Sequence, residues 1–204
     1  MNLLITDPRL ADRVLQQRRE AGADRFDEVW EGTYVMAPMP NDEHQQIVGR
    51  FSGILLEVVE WPGLGDVRPG TNLSPHAENW EHDYRCPDVA VFLRGGRAES
   101  LGTHWRGPAD LLVEVISPYD RTREKLPFYQ RLGVREVLLV DRAPWRLELY
   151  RGEAGRLGNV GQSEPGSGNV LASVVVALTF ELVGSDPRPR IRVVHAESDR
   201  EWLV

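Results

Sequence analysis

The stretch Leu111-Leu112-Val113-Glu114-Val115-Ile116 reads as a strand buried on both faces. Alternation puts Leu111, Val113 and Val115 on one side and Leu112, Glu114 and Ile116 on the other. Both sides are apolar except for one carboxylate, so the strand belongs at the centre of a sheet. A second apolar run covers 136–141, and a short helix over about 121–132 connects the two. Strand, helix, strand at this spacing predicts a βαβ crossover with one parallel pair. The runs at 88–93 and 145–151 lie too close along the chain to be parallel to their neighbours. The fold class predicted is α/β (α+β), a mixed central β-sheet flanked by helices.

Outward from this core, residues 7–21 read as a helix, with Asp7 as cap, Pro8 in the first turn and a stripe of Leu10, Val14 and Leu15. Residues 29–36 suggest a tight hairpin around Glu31-Gly32. The strongest helical signal is 41–60, capped by Asn41, with Asp42 and Glu43 at the positive end of its dipole. Its apolar face is Ile47, Phe51, Ile54, Leu55, Val58 and Val59. Another strand is expected around 66–73. Pro127 should delay the regular part of the 121–132 helix to near residue 125. Six glycines in 152–168 suggest a loop, and 169–183 is apolar enough to return to the core. The last twenty residues are ambiguous, and the chain shows no internal repeat.

At 204 residues and 23.1 kDa, one domain spanning 1–204 is expected. No apolar stretch is long enough to span a bilayer, and the first eight residues lack the pattern of a signal peptide. The single cysteine, Cys86, excludes an intramolecular disulfide framework and a cysteine-based zinc site. These features fit a cytoplasmic protein. The net charge of −7 argues against a non-specific nucleic-acid coat. Residues 121–135 differ, with Arg121, Arg123, Lys125, Arg131 and Arg135 against Glu124 alone, a basic edge that could face a phosphate backbone.

Lys125 is the only lysine among 24 basic residues. Arginine cannot replace lysine where a compact ammonium must sit beside a carboxylate or lose a proton. Glu114 is such a carboxylate, because burying it requires a base, a hydrogen-bond network or a metal as compensation. Asp88 follows Pro87 at the head of a strand, where it can project from the sheet edge. Two carboxylates and a lysine on adjacent strand ends suit metal-assisted phosphodiester hydrolysis. The carboxylates hold Mg2+ through hard oxygens, and the lysine orients or deprotonates a water. The same three residues would also serve as a purely structural buried salt-bridge network.

Pro87-Asp88-Val89-Ala90-Val91-Phe92, Leu111 to Pro118, and the block running from Lys125-Leu126-Pro127-Phe128-Tyr129 to Asp141 together resemble the PD-(D/E)XK, or restriction-endonuclease-like, superfamily. They look like one branch of it in particular, a group of bacterial proteins assigned as endonucleases. Trp30-Glu31-Gly32, followed by His44 before an amphipathic helix, extends the resemblance, which covers about 20–183 and leaves 184–204 as a C-terminal extension. The superfamily signature has its lysine two residues after the glutamate, where this chain has Ile116; a lysine from the following helix fills the gap in this branch, and only Lys125 is available here. The resemblance implies a restriction-endonuclease-like core and a metal-dependent endonuclease acting on DNA. Asp88, Glu114 and Lys125 would be catalytic, and Asp88 and Glu114 would hold Mg2+, with Mn2+ as a substitute. Glu31, His44 and Tyr129 are supporting candidates. A homodimer is expected, since cutting both strands of a duplex favours two-fold symmetry; Ile191, Val193 and Val194 are candidate contacts. The alternative is a nuclease-fold protein that binds nucleic acid or a protein partner without cutting. Ser117 with Asp120 lacks the surroundings of a serine nucleophile.

Overall fold

The computed structural model describes residues 7–117, 121–184 and 186–204; residues 1–6 and Asp120 lie outside them. Helix α1 (Pro8–Glu20) is capped by Asp7, whose carboxylate accepts from the Arg9 amide at 2.9 Å. It leads to the hairpin β1 (Glu28–Trp30) and β2 (Thr33–Val35). Asn41 caps α2 (Asp42–Leu55), which widens into a π-helical turn over Leu56–Glu60. There follow β3 (Gly65–Pro69), β4 (Leu73–Ser74), β5 (Val89–Leu93), β6 (Glu99–Ser100), β7 (Trp105–Arg106) and β8 (Leu111–Val115). A 3-10 turn over Thr122–Lys125 runs into α3 (Leu126–Leu132), where Pro127 sits in the first turn and removes no helical hydrogen bond. The rest is sheet: β9 (Glu136–Arg142), β10 (Trp145–Glu153), β11 (Arg156–Ser163), β12 (Leu171–Ala172), β13 (Leu178–Val183), β14 (Arg190–His195) and β15 (Glu201–Leu203).

The central sheet has the order β11-β10-β9-β8-β5-β3 and is mixed as expected. Only β8 and β9 are parallel, joined by the crossover through α3, while β5–β8 and β9–β10 are antiparallel. Leu111, Val113 and Val115 face a core built with α2 and an antiparallel sheet of order β12-β13-β14-β15. Leu112 and Ile116 face the opposite core, under Phe128 and Tyr129 of α3. No helix among the described residues is long and apolar enough to cross a membrane.

Three expectations are corrected. Residues 152–168 are not one loop, because β11 forms an edge strand antiparallel to β10. The glycines mislead for identifiable reasons. Ala154 and Gly155, both at positive φ, make a two-residue hairpin turn. Gly161 lies in the strand itself, where a Cβ would come within 2.9 Å of Leu171. The second correction concerns the tail. Ile191 and Val193 are fully buried within their own chain, because β14 lies between β13 and β15, so neither is available to a second copy. The strand expected around 66–73 ends at Pro69; Leu73-Ser74 belongs to a separate small sheet with β6 and β7.

Candidate active site

The sheet places Asp88 and Glu114 opposite one another. The β5–β8 register pairs Val89 with Val113, and its continuation brings Asp88 across from Glu114. Directly opposed residues of an antiparallel pair share a face. One step further, Pro87 comes opposite Val115 and has no N–H to offer, so the ladder ends. The Asp88 side chain takes over, and its Oδ2 accepts from the Val115 amide at 2.7 Å. The proline therefore produces both the end of the ladder and the fixed carboxylate.

Lys125 reaches Glu114 despite the eleven residues between them. Its Nζ lies 3.2 Å from both Glu114 oxygens and 2.9 Å from Glu28 Oε1. Tyr129, one turn on and fully buried, donates a short hydrogen bond to Glu114 Oε1. His44 Nε2 approaches Asp88 Oδ2 at 3.3 Å.

Glu28 is the site residue that sequence reasoning missed. It is held from behind by the Cys86 amide at 2.9 Å and the Trp30 indole at 2.6 Å. Glu31, the hairpin acid singled out from sequence, lies elsewhere. It occupies the turn at positive φ, is 70% exposed and pairs with Arg131 at 2.7 Å. Arg85 locks the hairpin to α3, with its guanidinium 4.7 Å from the Trp30 ring and 4.1 Å from that of Phe128. Cys86 is a packing residue, its thiol pushed up to about 12 chiefly by burial.

The site carries more negative charge than its one lysine balances. Glu114 is only 2% exposed. Burial pushes its pKa up from the ordinary 4.5 to about 8; Lys125 opposes the shift, and the charges of Asp88 and Glu28 add to it. For Lys125, burial alone would lower the pKa, but Glu114, Glu28 and Asp88 together outweigh burial and raise it. The ammonium therefore stays charged. This favours the orienting half of the sequence expectation over the proton-abstracting half.

A stability prediction follows. The fold keeps the Glu114 proton over a range in which the unfolded chain has already released it. This group therefore stabilises the fold fully at low pH and loses that contribution as pH rises through about 8. The melting temperature should fall from about pH 5 to about pH 8 and level off above that, and should fall less in Glu114→Gln. Parallel curves for the two proteins would show that the Glu114 proton plays no part.

The basic edge expected over 121–135 is neutralised from within. Arg121 pairs with Glu124, Arg123 with Asp141 and Glu148, Arg131 with Glu31, and Arg135 with Asp110. Ser117 helps line a cleft of about 430 Å³ at the carboxyl ends of β8 and β9, together with Asn41, Glu43 and Arg142.

A family model described as "Uma2: Putative restriction endonuclease" matches residues 14–183, most of the chain. The chain belongs to the Uma2 family. That match covers every site residue named above and stops before β14. No curated protein matches. Among solved structures, this Uma2 protein is similar to "a putative nuclease belonging to DUF820" from Anabaena variabilis, with a TM-score of 0.57 at 16% identity. The likeness covers 72% of this chain and 80% of that one, and it places the Uma2 protein's mixed sheet and flanking helices in the restriction-endonuclease-like fold.

Proposed function

We propose that this Uma2 protein is a metal-dependent endonuclease that hydrolyses phosphodiester bonds of DNA, with Mg2+ held by Asp88 and Glu114 and Mn2+ as a substitute. The observation that carries the reading is the meeting of two opposed carboxylates with the lone lysine at the end of a central strand. Among the described residues, no group of three or more His, Cys, Asp or Glu side chains is arranged to hold a metal. A pair of carboxylates suits Mg2+, which retains several of its own waters and takes one or two carboxylates from the protein. Burial is the main cause of the raised Glu114 pKa; the charges of Asp88 and Glu28, which add to it, are what a divalent cation would offset.

When bound, the ion would acidify a coordinated water and stabilise charge on the phosphoryl oxygen. The chain's own residues do the rest. Lys125, kept charged by Glu114 and Glu28, orients the attacking water and faces the developing negative charge. Glu28 holds the ammonium in place, and Tyr129 holds the Glu114 carboxylate. The two-fold assembly expected from the sequence remains part of this reading, without Ile191 and Val193 as contacts; a monomer mass in light scattering would remove it. The test of the activity is incubation with supercoiled plasmid. Nicked and linear forms should appear with Mg2+ or Mn2+ and cease on chelation. Plasmid left intact under every metal condition would sink the reading.

A further inference from the structure

A closed ring of polar contacts runs through the Asp88 carboxylate. Arg142, at the end of β9 with its side chain only 7% exposed, donates from Nη1 to Asn41 Oδ1 at 3.1 Å and to Glu43 Oε2 at 3.0 Å. Its Nε and Nη2 both reach the Ile116 carbonyl at 3.3 Å, and Nη2 also reaches Ser117 Oγ at 3.3 Å. Asn41 Oδ1 accepts in addition from the His44 amide at 3.0 Å. The His44 side chain returns to Asp88 Oδ2, which also holds the Val115 amide. Val115 adjoins Ile116, and the ring closes on Arg142.

We propose that His44 and Arg142 are positioning residues that fix Asp88 through Oδ2 and leave Oδ1 as the atom presented to a divalent cation. The proposal rests on the metal reading above. The Val115 amide donates to Oδ2 and His44 Nε2 lies 3.3 Å from the same oxygen, whereas Oδ1 accepts no hydrogen bond from the described residues. A carboxylate only accepts, so the hydrogen of His44 belongs on Nε2. His44 Nδ1 is buried without a hydrogen-bond partner, and a hydrogen there would be an unpaired buried donor. The imidazole thus has one orientation that works, and Arg142 sets it by tying the N-cap of α2 to the end of β8. The cap and the ring share one atom, Asn41 Oδ1, so a disturbance at Arg142 is passed directly to His44.

The test is calorimetric titration with Mn2+ alone. Groups that orient a metal ligand typically change affinity by about 10- to 100-fold. His44→Ala and Arg142→Met should each weaken Mn2+ by that amount. His44→Gln, whose amide nitrogen reaches the Nε2 position, should recover to within several-fold of wild type. The double variant His44→Ala with Arg142→Met should be little weaker than the worse single variant, because one ring is opened only once. An unchanged affinity in His44→Ala, or full additivity, would overturn the proposal. Should Arg142→Met not fold, the contrast between His44→Ala and His44→Gln decides. If wild type takes up no Mn2+, the metal reading fails and the ring is judged by 15N resonances of the imidazole. A His44 Nε2–H protected from water in wild type and lost in Arg142→Met supports the ring. A signal indifferent to Arg142→Met ends it.

Discussion

Lys125→Met should unfold roughly 10 °C below wild type and show no measurable hydrolysis. Removing one partner of a buried ion pair costs about 3–5 kcal/mol, because the opposite charge stays buried without compensation. In a chain of this size each kcal/mol lowers the melting temperature by about 2–4 °C. Here two carboxylates, Glu28 and Glu114, lose the same cation. Adding Glu114→Gln to Lys125→Met should restore part of the stability and none of the activity. Lys125→Arg keeps the charge but replaces a compact head with a broad planar one between two fixed carboxylates. Hydrolysis should then fall by roughly 10²-fold, as for loss of a positioned catalytic group, with DNA binding nearly unchanged. An Arg variant that cleaves plasmid at the wild-type rate would show that the lone lysine has no catalytic part.

Asp88→Asn should remove Mn2+ binding from the calorimetric range and reduce plasmid cleavage to background. The amide can still accept from the Val115 N–H, so the fold should persist with a melting temperature within a few degrees of wild type. What goes is the negative charge. Its loss should also lower the Glu114 pKa, since Asp88 is one of the charges that raise it. The melting curve of the Asn variant should accordingly decline less steeply as the pH rises. Wild-type cleavage by Asp88→Asn would remove this carboxylate from the chemistry, whatever its place in the fold.

Much of the fold was legible because local pattern alone specifies it. The continuous apolar runs at 111–116 and 136–141, buried on both faces, identified the parallel pair, and Asn41 with its acidic first turn marked the start of α2. Glycine content misled where the residue serves packing: Gly161 is required by the neighbouring Leu171 side chain, which no local pattern reveals. The site was legible to the extent that its residues interrupt a pattern. Glu114 breaks an apolar run, and Lys125 breaks an all-arginine habit. Glu28 breaks neither, since it opens a three-residue strand beside a more conspicuous Glu31-Gly32 turn. A glutamate two residues before a tryptophan on the same strand face was the available signal, because such an indole needs an acceptor. The ring through Arg142 joins residues about a hundred positions apart in the sequence and has no local signature.

The internally paired arginines beside the site bear on how DNA could dock there. Binding of DNA by free cations releases condensed counterions, and the affinity then collapses as salt rises. Arg121, Arg123, Arg131 and Arg135 each already face a carboxylate of their own chain. A phosphate arriving at this edge exchanges one anionic partner for another, and few ions leave its atmosphere as a result. On the proposed reading, DNA contact along this edge would be governed by shape and by the geometry at Asp88 more than by ionic strength. If the proposed activity holds, an acidic chain that held DNA only weakly between cuts would be spared the long residence on random sequence that a basic surface would impose.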